Sequence, residues 1–269
     1  MWYVIVSILA YLIGSVNSGV LISKKMAGFD VREKGSHNAG STNVLRTVGK
    51  KAALLTLVCD ILKGVVAVLL AFAIGNIGNF TSHQLSILCQ LAAFFVVFGH
   101  TFPIFFGFKG GKGVATSLGV LLVLNWQIGI ICLVFALVVM AISRYVSLGS
   151  ISAAVLFPVL VAFIETDYLT GFKYFGGYIK GGDRISWIIF GIALALLVIF
   201  NHRSNIVRLR EGKENKLSFK KKEADSGNGF NDEAGHSDSE ANSEEKVEGA
   251  HLENVGDVPE IKIEDKDDK

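Results

Sequence analysis

The chain is poor in proline, cysteine and charge. Three prolines in 269 residues exclude a collagen-like or proline-rich scaffold. Three cysteines, an odd number in no paired spacing, exclude a disulfide framework and a four-cysteine zinc site. Charged residues make up 19% of the chain, against about 25% in ordinary soluble domains. In their place stand apolar residues: 51% of the chain is hydrophobic and the mean hydropathy is +0.48. The formal net charge of +2 conceals a division. Residues 1–222 carry a balance of +14 and residues 223–269 one of −12. A basic, apolar body precedes an acidic tail.

A bilayer core of about 30 Å needs about 20 apolar residues in a helix. Seven apolar runs qualify or nearly qualify, at 2–22, 52–74, 85–106, 114–124, 128–142, 148–164 and 185–200. The fourth to sixth are short or closely joined, so five to seven spans are defensible. The first run has no charge before it and Lys24-Lys25 after it, the reverse of a cleaved signal peptide. The expected architecture is an all-α, polytopic membrane bundle of about seven helices. Two regions are expected, a membrane-embedded body at 1–216 and a basic-then-acidic disordered tail at 217–269. Cys59, Cys89 and Cys132 fall within spans and read as small buried hydrophobes.

Lysine and arginine mark the cytoplasmic side of short loops. With the N-terminus outside and seven spans, the inner segments collect Lys24, Lys25, Arg32, Lys34, Arg46, Lys50, Lys51, Lys109, Lys112, Arg144 and the basic run from Arg203 to Lys222. The outer segments 75–84 and 125–127 hold no lysine or arginine, and the outer 165–184 loop balances three basic residues against three acidic ones. The C-terminus is therefore expected inside.

Three polar clusters fall on that inner side. The first, 34–50, combines Ser36, His37, Asn38, Ser41, Thr42, Asn43 and Arg46 with small residues. Backbone N–H groups, hydroxyls and a planar guanidinium in one tight loop suit an anion; the alternative is a plain polar connector. In the second, Lys109-Gly110-Gly111-Lys112-Gly113 opens onto the apolar run at 114. Glycine permits close approach, and a helix N-terminus presents free N–H groups to phosphate. Phe106 and Gly113 stand where a Walker A loop needs glycine and a hydroxyl residue, so nucleotide hydrolysis is unsupported; the alternative here is a flexible hinge. The third begins at Asn201, with His202 and Asn205 on one helical face. Arg208, Arg210, Lys213 and Lys220–Lys222 read as lipid-headgroup anchors. Asp60 and Lys63 are ionisable groups inside a span, which face a bundle interior and pair. Ser147 and Ser150 can reach the same inner pocket or serve as interface hydroxyls.

Together these stretches resemble the acyl-phosphate-dependent glycerol-3-phosphate acyltransferases of bacteria, the PlsY family. The resemblance runs from Tyr11-Leu12-Ile13-Gly14-Ser15 to about Glu214 and excludes the tail. It implies transfer of a fatty acyl group from acyl-phosphate to the 1-hydroxyl of sn-glycerol 3-phosphate, giving lysophosphatidate and phosphate, the first step of phospholipid synthesis. It assigns Ser36, Arg46, His202 and Asn205 to catalysis. It assigns Asn38, Asn43, Ser147, one of Lys109 and Lys112, and the turn of Gly110, Gly111 and Gly113 to binding of substrate phosphate. Asp60, Lys63, His100 and Glu214 are expected as structural support. The resemblance implies no cofactor, no metal and no nucleic acid. The implied partners are the two substrates, membrane lipid and the enzyme that makes acyl-phosphate. The implied location is the bacterial plasma membrane, with the site facing the cytoplasm.

Two other classes compete. A transporter for a phosphorylated solute explains the spans and basic clusters, but such sites lie near the midplane between inverted repeats, and no repeat is visible. A conventional acyl-CoA or acyl-carrier-protein acyltransferase uses a histidine with aspartate five places on. The residues five places beyond the six histidines are Thr42, Leu88, Phe105, Val207, Ala241 and Gly256.

Overall fold

A computed structural model describes residues 1–163 and 184–217. The 165–184 loop, except for its last residue, and the tail from 218 lie outside the described residues. Among the described residues the regular structure is helical throughout. The main helices are α1 (Trp2–Gly14), α2 (Ser18–Ala27), α3 (Ser41–Thr47), α4 (Lys50–Ile77), α5 (Ser82–Thr101), α6 (Val114–Leu124), α7 (Trp126–Ser143), α8 (Val146–Phe163), α9 (Arg184–Asn201) and α10 (Arg203–Arg210).

The helix ends follow from local chemistry. The Asn17 side chain accepts from Val20 N and starts α2, and Gly28, in the left-handed region, stops it. Thr81 and Gln84 cap one another reciprocally at the start of α5. Asn125 caps α7 by accepting from Ile128 N at 2.9 Å. The break between α1 and α2 is held from α4, where Lys63 Nζ donates to the carbonyl of Val16 at 3.0 Å.

All seven apolar runs are helical, but one differs in kind. Among the described residues, six segments, with α1 and α2 counted together, are long and apolar enough to cross a membrane. The fourth run is α6, with eleven residues. At 1.5 Å per residue it reaches about 16 Å, roughly half the hydrocarbon core. It turns back at Asn125 into α7, whose 18 residues reach about 27 Å. The start of α6 therefore lies about 10 Å short of the far end of α7. Of the segment 102–113, which leads into it, Pro103, Gly111 and Gly113 are buried, while Ile104, Phe105, Gly107, Phe108 and Lys109 are exposed.

Small residues set the helix spacing. A Cβ on Gly99 would stand 2.2 Å from the Tyr11 carbonyl oxygen, and one on Gly14 would stand 2.1 Å from that of Val96. The α1–α5 crossing thus brings backbone against backbone, as small residues allow in membrane helices. One apolar cluster unites α1, the C-terminal half of α4, and α5 to α9 through residues such as Val6, Leu88, Val96, Ile128 and Phe190. A second, smaller cluster of Val20, Val31, Val44 and Ala52 seats α3 and the 31–40 loop against α2 and α4.

Candidate active site

The first cluster folds into a rigid loop. Asp30 caps a single 3-10 turn at Val31–Glu33. Asn43, on α3 and almost fully buried, ties the rest together. Its Nδ2 reaches the carbonyls of Val31, Lys34 and Asn38 at 2.9–3.0 Å, and its Oδ1 accepts from Ser36 N at 2.9 Å. Arg46 stands one turn further along α3. It is exposed and makes no hydrogen bond or ion pair among the described residues. A guanidinium held ready in this way can grip an oxyanion bidentately.

The second cluster forms the turn before α6. Gly110 N donates to the Thr101 carbonyl at 3.1 Å and Gly111 N to that of His100 at 3.2 Å. Gly113 takes φ +84° as the residue before α6, a conformation suited to glycine. The first N–H groups of α6 have no acceptor within the helix. Lys112 projects to the third cluster and donates to Asn205 Oδ1.

That third cluster is a network around one carboxylate. Glu214 Oε1 accepts from Asn205 Nδ2 at 2.7 Å and from Ser147 Oγ at 2.8 Å, and its Oε2 accepts from Arg208 Nε at 2.8 Å. Burial alone would raise the Glu214 pKa, but these bonds outweigh it and hold it below the usual carboxylate range. His202 is almost fully buried. Its Nδ1 donates to the Val198 carbonyl at 2.7 Å, which leaves Nε2 as the acceptor in the neutral ring. Burial, with the nearby Lys112, pushes His202 down to about 4, so the ring is neutral at physiological pH.

The three clusters meet in one cavity of about 420 Å³. Ser36, Asn38, Asn43 and Arg46 line one side; Lys112 and Gly113 line another; Ser147, His202, Asn205 and Glu214 line a third. Asp60 and His100 also reach it. Asp60 lies 2.9 Å from Lys63 Nζ and 3.5 Å from His100 Nδ1, a buried charged group at the base of the polar end. Beyond the polar groups the wall turns apolar, through Leu118, Leu133, Ala136, Ala153, Phe157 and Leu194.

The geometry redraws several expected roles. Lys109 is exposed and outside the cavity lining, whereas Lys112 lines it. Gly110 and Gly111 bond their N–H groups to the end of α5 and lie outside the lining. A Cβ on Gly111 would meet His100 Nε2 at 2.1 Å, so its smallness serves packing; of these glycines only Gly113 borders the cavity. The Asn43 amide N–H groups are taken up by carbonyls within the loop, while the residue lines the cavity. Lys63 supports the site through Asp60 and Val16. Arg208, read from sequence as a headgroup anchor, lines the cavity and binds Glu214. Its signal was available: His202, Asn205 and Arg208 recur every three residues and share one helical face. Ser41, Thr42 and Ser150 line the cavity as well.

Comparison with known proteins settles the family. Residues 4–212 match the family described as glycerol-3-phosphate acyltransferase. The chain belongs to that family. A Clostridioides difficile (strain 630) glycerol-3-phosphate acyltransferase is 41% identical over 222 residues, spanning 81% of this chain and 97% of its own. A Nostoc relative of the same name is 40% identical over 227 residues, with 80% and 92% covered. The fold resembles a crystal structure of PlsY, an integral membrane glycerol 3-phosphate acyltransferase, in its glycerol 3-phosphate form. The TM-score is 0.64 and the identity 34%, over 80% of this chain and 96% of that one. A lysophosphatidic acid form of PlsY gives 0.63 and 33%, over 80% and 95%. The family match ends before Glu214 and the tail.

Burial pushes Lys112 down to about 8; Arg208 and Arg46 repel its charge further, and Glu214 partly offsets them. Lysine is cationic below its pKa, so the site loses a positive charge as pH rises through about 8, and bound phosphate delays that loss by favouring the protonated form. Equilibrium binding of inorganic phosphate should therefore weaken from about pH 7 to 9, while Lys112→Arg, charged throughout that range, should bind with no such decline. An equal decline in both proteins would assign the titration to another group.

Proposed function

We propose that this chain transfers a fatty acyl group from acyl-phosphate to the 1-hydroxyl of sn-glycerol 3-phosphate. The products are lysophosphatidate and inorganic phosphate, and the reaction is the first step of bacterial phospholipid synthesis. One observation carries the reading: a single cavity joins two sets of anion donors, on separate segments, to an apolar wall. Two substrates that each bear a phosphate need two such sets, and a fatty chain needs the wall. Arg46 with Ser36 and Asn38 forms one set; Lys112 with the start of α6 forms the other.

The chemistry asks little of the protein beyond placement and charge stabilisation, because acyl-phosphate is already activated. The glycerol hydroxyl oxygen attacks the acyl carbonyl carbon, a C–O ester bond forms, and the bond from that carbon to the phosphate oxygen breaks. His202 Nε2, neutral and aimed by the Val198 carbonyl, accepts a hydrogen bond from the hydroxyl and orients it. With its proton affinity so low, His202 is a poor final acceptor. The released proton ends on the leaving phosphate, which departs as the hydrogen phosphate dianion and whose oxygen is far more basic than the His202 ring.

The reading extends to the membrane. The N-terminus lies outside, the polar end of the cavity faces the cytoplasm of a bacterial plasma membrane, and a separate enzyme supplies the acyl-phosphate. The lysine and arginine distribution supports this orientation. Cysteine introduced in place of Lys109 should be protected from a membrane-impermeant maleimide in intact cells, and cysteine in place of Asn79 should label. The opposite pattern would invert the topology.

The donor is tested with purified protein, labelled glycerol 3-phosphate and one acyl donor at a time. Acyl-phosphate should support turnover, and acyl-CoA or acyl-carrier protein alone should not. Turnover with acyl-CoA alone would refute the proposed donor.

A further inference from the structure

We infer that Arg32, outside the cavity lining, is the positioning residue that sets the two phosphate-binding segments against each other. Its guanidinium holds four oxygen contacts. Nε donates to Asp30 Oδ1 at 3.0 Å and Nη2 to Asp30 Oδ2 at 2.8 Å, a planar fork on one carboxylate. Nη1 donates to the carbonyls of Phe106 at 2.7 Å and Lys109 at 2.9 Å. The first pair fixes Arg32 to its own loop, and the second fixes the turn that carries Lys112.

Both sides of this joint are rigid. On the near side, Asn43 binds the carbonyl of Val31, the residue next to Arg32, and sits three residues from Arg46 on α3. Arg32 and Arg46 thus belong to one hydrogen-bonded unit. On the far side, Phe106 packs against the small apolar cluster around Val20 and Val44, and Arg32 lies 6.0 Å from its ring centre. Gly110 and Gly111 anchor the rest of the turn to the end of α5. Only two residues separate Lys109, whose carbonyl Arg32 holds, from Lys112. A shift of this joint changes the Arg46-to-Lys112 separation, and so the fit of any pair of phosphates between them. Lysine cannot replace the joint: one ammonium cannot span a carboxylate fork and two carbonyls in fixed planar geometry.

This inference rests on the proposed two-phosphate site, and the experiment separates the two. Arg32→Lys and Asp30→Asn are compared with wild type and with Arg210→Lys, a change at an exposed residue. Equilibrium binding of labelled glycerol 3-phosphate, steady-state kinetics with acyl-phosphate, and thermal unfolding in detergent are recorded for each. The expected result is a fall of about a hundredfold in kcat/KM for Arg32→Lys, the scale of an ångström-level misplacement. Asp30→Asn should fall in the same direction, weaker glycerol 3-phosphate binding should accompany both, and Arg210→Lys should match wild type. Wild-type protein inactive with acyl-phosphate would refute the donor, while the binding measurements still decide Arg32. Folded Arg32→Lys and Asp30→Asn with wild-type binding and kinetics, or with lowered thermal stability alone, would overturn the positioning role.

Discussion

Like-charge repulsion is the constraint around which this molecule is organised. Arg46, Lys112 and Arg208 border one cavity, and repulsion from the two arginines adds to the burial that lowers the Lys112 pKa. Such a concentration of positive charge suits phosphate-bearing ligands and is unfavourable without them. Glu214 answers part of the problem. It binds Arg208 directly and reaches Lys112 through Asn205. The same carboxylate fixes Ser147, so one acidic residue both relieves the repulsion and aligns helices α8 and α10. Arg46 is left unneutralised by any carboxylate contact among the described residues, as a group that meets an incoming anion should be.

The short helix α6 supplies the second element. It is only about half the length of a span, and Lys112 and Gly113 at its start line the cavity together with residues of α3, α8 and α10. A polar head group can then meet an acyl carbonyl at the level where the cavity wall becomes apolar. Asp60 and His100 border the same cavity, and Lys63 pairs with Asp60 beside it. Lys63 also closes the break between α1 and α2 through the Val16 carbonyl. A buried ion pair is weak support for stability in itself; here it joins α4, α5 and the α1–α2 break at the base of the site.

Much of this was legible in the sequence, to a particular depth. Hydropathy located every long helix within a few residues, because span length is imposed by the bilayer. It missed the break at 15–17, since small residues inside an apolar run lower hydropathy little. The three clusters were identifiable from their density of glycine, asparagine and basic residues. Which member of a cluster faces the cavity was not. Lys109 and Lys112 have the same chemistry, and only the backbone path set by Gly107, Gly110 and Gly111 turns one outward and the other inward. Gly110 and Gly111 looked like a phosphate cradle because an N–H already bonded to the end of α5 cannot be told from a free one by composition. Arg208 was misread for a related reason: its partner Glu214 lies beyond the helix end, and their pairing depends on how residues 211–217 fold back.

The central claim is that Arg46 and Lys112, from two separate segments, act on one reacting pair of substrates. A double-mutant cycle on kcat/KM, using Arg46→Ala, Lys112→Ala and the double variant, tests it most directly. Each single change should remove about 2–5 kcal/mol of transition-state stabilisation, the scale of a broken hydrogen-bonded charge contact. The double variant should fall short of the sum by about 1–3 kcal/mol, as coupled residues of one site do. Effects that add to within about 0.5 kcal/mol would mean that the two cations act independently, contradicting a shared site.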